Sequence, residues 1–259
     1  MKKKRGNPQK AIVKLTDAAM RFVDEMQRQS RFAVFVMNLS KSTDEKAKAA
    51  AEILDEFGKK GYGDQYKGLL KGVEENSAVK ALFDFHIKTF FEMILCRGVD
   101  NFLTYISQLL ALIFISKPET LRSSDKVRVD YVLQHPNMEE LIKDLVERRV
   151  NDLSYQGMHK LNKHLAEEIG LQLIPDGPKL NKIVRLIECR NIIVHNRGIV
   201  NKLFLSRVLN SKEKLGDSLD LDSPNFFMDQ MFLAEQVENI DSLAAKKFSL
   251  PLVKLKKSD

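Results

Sequence analysis

The sequence predicts an all-α protein, an antiparallel helical bundle with an N-terminal helical extension. Two observations indicate this class. Apolar residues recur at helical spacing along most of the 259 residues, and glycine or proline stands where most of these periodic stretches stop. With 44% hydrophobic and 30% charged residues, a chain of this length can bury a large core as a soluble globular protein.

The first 77 residues predict the helical extension and a connector. Residues 11–37 indicate one or two helices, and a second or further helix is expected from an N-cap at Ser42 and Thr43 to Gly58. Residues 58–72 contain five of the twelve glycines. They do not form a phosphate-binding loop, because two leucines stand where such a loop needs Lys and Ser or Thr. We therefore expect a flexible connector and a domain boundary near residue 77.

The core is predicted from the stretch between residues 79 and 116, which is helix-forming and rich in large apolar side chains. Gly98 is a candidate break between two helices, and Pro118 is expected to end the second. A histidine among aromatic residues is most often a packed core residue, and this is the expectation for His86.

The second half of the chain predicts further helices with clear stop signals. An amphipathic helix covers residues 137–150, and another covers 155–169 and closes at Gly170. Residues 171–180 form a loop, and the next helix runs from about residue 180 to His195 and breaks at Gly198. Asn201 caps a helix over 202–209, residues 226–247 form the last helix, and 249–259 are a basic tail of the kind that stays mobile.

Two possible metal sites fail on spacing. His159 and His164 are five residues apart, whereas zinc-binding helical pairs use i and i+4. The aspartates at 217, 220 and 222 lack the glycine and closing glutamate of a calcium loop. We therefore expect no metal and no cofactor.

The net charge and the two cysteines exclude few classes of function. The formal net charge is +7, but six of these charges lie in the termini, at residues 2–5 and 254–259, so the body is nearly neutral. Two cysteines are expected as reduced core thiols. No signal peptide follows the basic leader, and the longest apolar stretch is shorter than the ~18 residues of a membrane span, so a cytoplasmic protein without a membrane segment is expected.

One stretch combines the residues that metal-free RNA cleavage needs. Arg190 is followed by the polar Asn191, three aliphatic residues, His195, and then Asn196, Arg197 and a glycine. Such cleavage requires a base for the ribose 2′-hydroxyl, an acid for the leaving 5′-oxygen and a cation for the phosphate. Histidine and arginine can supply these roles.

The spacing alone is weak evidence. An arginine followed by histidine at one of three spacings is expected nearly once by chance in this composition, and Arg128 to His135 is a second occurrence. Arg190 and His195 lie ~140° apart on a regular helix, whereas Asn191 and His195 share a face. That geometry suits residues that line a groove between two helices.

This segment resembles the signature of the HEPN superfamily, the higher eukaryote and prokaryote nucleotide-binding helical domains. The likeness covers residues 79 to about 248, through the aromatic helices, Leu153-Ser154-Tyr155, residues 191–201 and Ala244 to Phe248. It implies an N-terminal extension over 1–77, a HEPN-like domain over 78–248 and a tail over 249–259.

The resemblance also implies a function. Many bacterial members are toxin or phage-defence ribonucleases that act as homodimers, with a possible antitoxin or defence-system partner. On this basis Arg190 and His195 of both chains would form a composite catalytic site, Asn191 would orient the pair, and Asn196 and Arg197 would contact RNA. The expected product ends in a 2′,3′-cyclic phosphate.

Two alternatives stay open. The chain could be a non-catalytic HEPN-like dimer that binds RNA, a nucleotide or a partner protein. It could also be a structural helical adaptor, in which Arg190 pairs with Glu188 or another acid and His195 is part of an ordinary polar edge.

Overall fold

The predicted all-α class is confirmed by the structure, a computed structural model that describes residues 14–61, 63, 65, 69–121, 127–154, 157–220 and 223–254. Two short strands and a series of helices follow one another along the chain. In order they are β1 (Lys14–Leu15), α1 (Asp17–Lys59), α2 (Leu69–Glu75), α3 (Ala78–Ala81), a π-helical turn (Leu82–His86), α4 (Ile87–Ser116), a 3-10 turn (Pro118–Leu121), α5 (Val129–Leu133), α6 (Met138–Ser154), α7 (Met158–Ile169), α8 (Pro178–Asn196), α9 (Lys202–Arg207), α10 (Ser223–Phe248) and β2 (Val253–Lys254).

Helix α4 lies at the centre of the bundle and packs against α1, α6, α8 and α10. A helix that is apolar on most of its circumference must be surrounded by other elements. Accordingly, its largest side chains are almost fully buried; they include Phe102, Tyr105, Leu109, Leu110, Ile113 and Phe114. The core that the sequence predicts over residues 79–116 is thus the core of the molecule.

One helical run, Lys71–Ser116, is long and apolar enough to cross a membrane by length and composition. Half of its most apolar 18-residue window is buried inside the fold, and the core helix of a soluble protein passes the same test. The expectation that the chain has no membrane segment stays a prediction.

The predicted helices before Gly58 are a single helix, α1, of 43 residues. Thr43, expected in an N-cap, instead donates its hydroxyl to the carbonyl of Leu39 at 2.8 Å, which a threonine does inside a continuous helix. Gly58 is helical and buried, and α1 ends one residue later at Lys59. The predicted connector that follows lies partly outside the described residues.

Gly98 does not break α4, contrary to one of the sequence expectations. A Cβ at this position would overlap the side-chain amide of Gln230 on α10, so the glycine permits the close approach of α10 to α4. His86 is likewise not a packed core residue, because its side chain is exposed at the end of the π-helical turn. Pro118 ends the helix as expected.

The first and last described segments of the chain meet, so the expectation of a mobile tail is wrong for residues 249–254. β1 pairs antiparallel with β2, and Lys14 lies opposite Lys254. Thr16 caps α1 and is fully buried, and both its backbone N–H and its hydroxyl donate to the carboxylate of Asp241 on α10. Residues 249–254 therefore belong to the fold, and the remainder of the tail lies outside the described residues.

The start of α1 lies in the main core, with Leu15, Ala18, Ala19 and Phe22 buried there. The rest of α1 packs along α2, α3 and the first half of α4, where Ala33, Phe91 and Ile94 form a small separate cluster. The domain boundary near residue 77 stays a prediction. The structure shows a long helical arm whose base is part of the bundle.

The stop and start signals around α7 to α9 are confirmed. Gly170 ends α7 in the left-handed conformation with φ 63°, and Asn201 caps α9 by accepting from the N–H of Phe204 at 2.8 Å. Between α7 and α8, the buried amide of Asn162 exchanges two hydrogen bonds with the backbone of Ile174. This loop therefore fixes where α8 begins.

The Arg185–Glu213 pair fastens the segment after α9 to α8 and is expected to make stability depend on pH. The hydrogen bond from Arg185 lowers the pKa of Glu213 from 4.5 to about 2. Because the folded pKa is depressed, the stabilisation is complete above pH 4.5 and disappears as pH falls through about 2.

Glu213→Gln is therefore expected to lower the free energy of unfolding by about 2 kcal/mol at pH 7. The difference from wild type should shrink between pH 4.5 and 3, which urea unfolding at several pH values measures. Glu235→Gln, which removes an exposed partner of Lys179, is the control and should show a much smaller effect. A pH-independent loss for Glu213→Gln would contradict the assignment.

Candidate functional site

Helix α8 presents Arg190, Asn191 and His195 to one cavity of about 400 Å³. The cavity lies among α4, α7, α8 and α9; the other side chains that line it include Leu103, Ile106, Ser107, Met158, Leu161, Val184, Ile187, Glu188 and Arg207. The structure thus brings the three predicted catalytic residues together. Arg190 and His195 reach the same cavity although a regular helix separates them by ~140°.

Arg190 is held by an acid from α4. Its Nε lies 2.8 Å from Oδ1 of Asp100, and a quarter of the arginine side chain is exposed. The buried Nε–H is not aligned with this oxygen, so the contact is an ion pair without a well-formed hydrogen bond. Within the described part of the chain Nη2 makes no hydrogen bond, so both of its N–H groups remain available to a phosphate oxygen.

Asn191 joins Arg190 to a buried carboxylate. Its Oδ1 accepts from Nη1 of Arg190 at 3.2 Å, and its Nδ2 donates to Glu188 at 3.4 Å. Glu188 is only 5% exposed and also accepts from Nη1 of Arg207 on α9 at 2.9 Å. These hydrogen bonds hold the Asn191 amide against Arg190, and among the described residues no side-chain hydrogen bond joins Asn191 to His195. The predicted role of Asn191 in orienting the pair stays a prediction.

His195 lies in the last turn of α8 and is exposed. Its imidazole makes no hydrogen bond or ion pair with any described residue, so both ring nitrogens are accessible to a ligand.

Asn196 and Arg197 have structural positions at the helix exit and do not line the cavity. The amide of Asn196 donates to the carbonyl of Ile199 at 2.6 Å, and Arg197 adopts the left-handed conformation with φ 54°. Gly198 follows with φ 74°, and its N–H closes the helix on the carbonyl of Ile192. Their predicted contact with RNA stays a prediction.

Cys189 lies beside the motif but is not a reactive group. Burial raises the pKa of its thiol to about 12, so the thiol is protonated at neutral pH. Burial, followed by the charge of Asp100, also raises the pKa of Cys96. Both cysteines are free, as the sequence predicts.

None of the other histidines lines this cavity. His135, in the second arginine-to-histidine occurrence, pairs with Asp144 at 3.1 Å, while Arg128 pairs with Asp130. His164 contacts Arg149 at 2.8 Å and His159 is exposed. Among the described residues no group of three or more His, Cys, Asp or Glu side chains could hold a metal ion.

Two residues of the site were not predicted from the sequence. Asp100 and Arg207 lie on other helices, far from the motif along the chain, and no local pattern links them to it. Comparisons of the chain with protein-family models, with curated proteins and with solved structures each found no match. The case for a function therefore rests on the residues of this cavity.

Proposed function

We propose that the protein is a metal-independent endoribonuclease of the HEPN kind. The observation that carries this proposal is the cavity that His195 and Arg190 share. His195 has no partner among the described residues, whereas Asp100 and Asn191 hold Arg190 in place. A histidine able to move a proton and an arginine able to bind a phosphate are the two groups that this reaction needs.

The reaction begins when His195 accepts the proton of the ribose 2′-hydroxyl. The 2′-oxygen attacks the adjacent phosphorus, and Arg190 stabilises the negative charge that develops on the phosphate oxygens. The bond from phosphorus to the 5′-oxygen then breaks, and a general acid protonates that oxygen. The products are a 2′,3′-cyclic phosphate and a 5′-hydroxyl.

One chain supplies one histidine to the cavity, whereas the reaction uses a base and an acid. A homodimer that brings two such cavities together would supply both, with His195 of one copy as base and His195 of the other as acid. The resemblance to HEPN nucleases supports this arrangement. It also supports a role as a cytoplasmic toxin or phage-defence effector that an antitoxin or a defence-system protein restrains.

The test is incubation of the wild-type protein with single-stranded RNA in EDTA, followed by analysis of the product ends. Cleavage that leaves 2′,3′-cyclic phosphate and 5′-hydroxyl ends is expected. Cleavage that leaves 5′-phosphate ends, or that EDTA abolishes, would contradict the mechanism.

A second candidate is a non-catalytic module that binds RNA, a nucleotide or a partner protein. The ion pairs favour this candidate, because Asp100 offsets the charge of Arg190 and Glu188 offsets that of Arg207. RNA binding by wild type without cleavage would support the module. Weakened binding by Arg190→Ala would then assign it to the same cavity.

A further inference from the structure

The cavity beside Arg190 has an apolar end that the proposed chemistry does not use. One stripe of α8 lines the cavity and contains, in order, Val184, Ile187, Glu188, Asn191 and His195. The first two of these side chains are aliphatic and the last three are polar. Because an α-helix rises about 1.5 Å per residue, Val184 and Asn191 lie roughly 10 Å apart along the axis. The cavity therefore has two chemically different ends.

Helix α4 runs antiparallel to α8 along this stripe. Asp100 of α4 pairs with Arg190. The carboxylate of Glu92, about two turns earlier on α4, lies 3.5 Å from the place where a Cβ of Gly198 would stand. The α4 side chains that follow Asp100 therefore lie beside the α8 side chains that precede Arg190.

Side chains from three helices form the apolar wall of the cavity. They are Leu103 and Ile106 of α4, Met158 and Leu161 of α7, and Val184 and Ile187 of α8. Four of these six are at most 5% exposed, so core packing holds the wall in place. A preformed cavity with an apolar wall and a few polar groups is typical of a site for an organic ligand.

The apolar end fits a nucleobase in size and in chemistry. The cavity volume of about 400 Å³ is that of a small-molecule site. A base has two apolar faces and carries its polar atoms at its edge. Between the two ends of the cavity, the buried carboxylate of Glu188 accepts from Arg207 at 2.9 Å. This pair offers an acceptor and donors side by side to the edge of a base.

The proposed reaction determines which nucleoside faces the apolar end. His195 takes the proton of a ribose 2′-hydroxyl, and Arg190 binds the phosphate on the neighbouring 3′-oxygen. The base of the same nucleoside is attached to the carbon next to the 2′-carbon. It therefore lies close to the polar end of the cavity, and the apolar wall is the surface there that suits its faces.

We propose that the apolar end of the cavity binds the base of the nucleoside that carries the attacking 2′-hydroxyl. A base held against this wall positions its ribose at His195 and the following phosphate at Arg190. Base binding thus contributes to the orientation of the reacting atoms. The inference rests on the proposed function, because the reaction determines which nucleoside meets His195.

Dinucleoside monophosphates test the proposal, because each contains a single bond that this reaction breaks. Dinucleotides with uracil, cytosine, adenine or guanine on the 5′ nucleoside are compared with an abasic analogue that lacks this base. Each base is expected to raise kcat/KM by roughly 10- to 100-fold, the effect of burying about 100 Å² of apolar surface. An abasic analogue that is cleaved as well as the four dinucleotides would overturn the proposal.

Ile187→Trp fills the apolar end and should lower kcat/KM for the base-containing dinucleotides by roughly tenfold. The abasic analogue should be cleaved as by wild type, whereas a damaged fold would lower both rates. Leu103→Trp, which fills the cavity from α4, should give the same pattern. Ile142→Trp is the matched control and should change neither rate, because Ile142 is also partly buried against the core but does not line the cavity.

Binding of 2′-deoxy dinucleotides, measured by isothermal titration calorimetry, separates this proposal from the nuclease proposal. These analogues cannot be cleaved, and wild type should bind them at least about tenfold more tightly than the 2′-deoxy abasic analogue. Preferential binding of the base without any cleavage of RNA would leave the base site and remove the nuclease. Cleavage of RNA without a preference for the base in either measurement would leave the nuclease and remove the base site.

Discussion

Replacing His195 with alanine is expected to lower RNA cleavage by about 10³-fold or more, because general acid and base catalysis would lose their proton carrier. The effect is large because a homodimer would lose the base and the acid together. The measurement is the rate of RNA cleavage in EDTA under single-turnover conditions. The exposed side chain contributes no buried contact, so the fold should persist and circular dichroism should match wild type.

The matched control for this result is His159→Ala. His159 is also an exposed histidine, it lies on the neighbouring helix α7, and it does not line the cavity. Its cleavage rate should equal that of wild type. A His195→Ala protein that cleaves RNA at the wild-type rate would remove the site assignment, and equal losses for both variants would indicate a nonspecific effect.

Replacing Asp241 with alanine is expected to destabilise the protein by about 3 kcal/mol or more, because buried donors would lose their acceptor. Asp241 is 1% exposed, and it accepts from the N–H of Thr16 at 2.9 Å and from the hydroxyl of Thr16. The hydroxyl of Tyr105 lies 3.4 Å from the same carboxylate. This one side chain therefore connects the start of α1, the centre of α4 and α10.

Urea or thermal unfolding measures the effect of Asp241→Ala, and a fall of about 6 to 12 °C in the melting temperature corresponds to the expected loss. The control is Glu238→Ala, which removes an exposed carboxylate from the same helix and should leave stability within about 0.5 kcal/mol of wild type. A loss below about 1 kcal/mol for Asp241→Ala would show that water replaces the carboxylate.

Local sequence signals predicted the helix ends well where the residue at the end acts on the backbone nearest to it. Gly170 adopts the left-handed conformation, Asn201 binds a free N–H of α9, and Pro118 ends α4. Each of these roles depends only on a few neighbouring residues, so it can be predicted from a single sequence.

The same kind of reasoning failed where packing overrides local preference. Gly98 is a helix breaker by propensity, but α4 continues through it. The missing Cβ leaves room for the side chain of Gln230 on α10. The candidate cap at Ser42 and Thr43 lies inside α1, whose buried residues continue from Ala33 to Gly58 against the neighbouring helices. In both places, packing against other helices stabilises the helix by more than the weak helix propensity of a few residues destabilises it.

The residues of the candidate site likewise fall into two groups, those that the sequence predicted and those that it did not. The order of residues on one helix placed Arg190, Asn191 and His195 within two turns, and the sequence alone was enough to predict that they lie together. The partners that set their charge and orientation, Asp100 and Arg207, come from α4 and α9. Contacts between helices leave no periodic trace in a single sequence, so these two residues could not be predicted.

By itself, the sequence determined the all-α class, the central apolar helix and the motif on α8, because each depends on periodicity or on residues close together in the chain. Only the tertiary structure decided that α1 is one helix, that β1 pairs with β2, and that an aspartate and a second arginine join the site. These features arise between segments distant in sequence, where packing and ion pairing select among several locally acceptable structures.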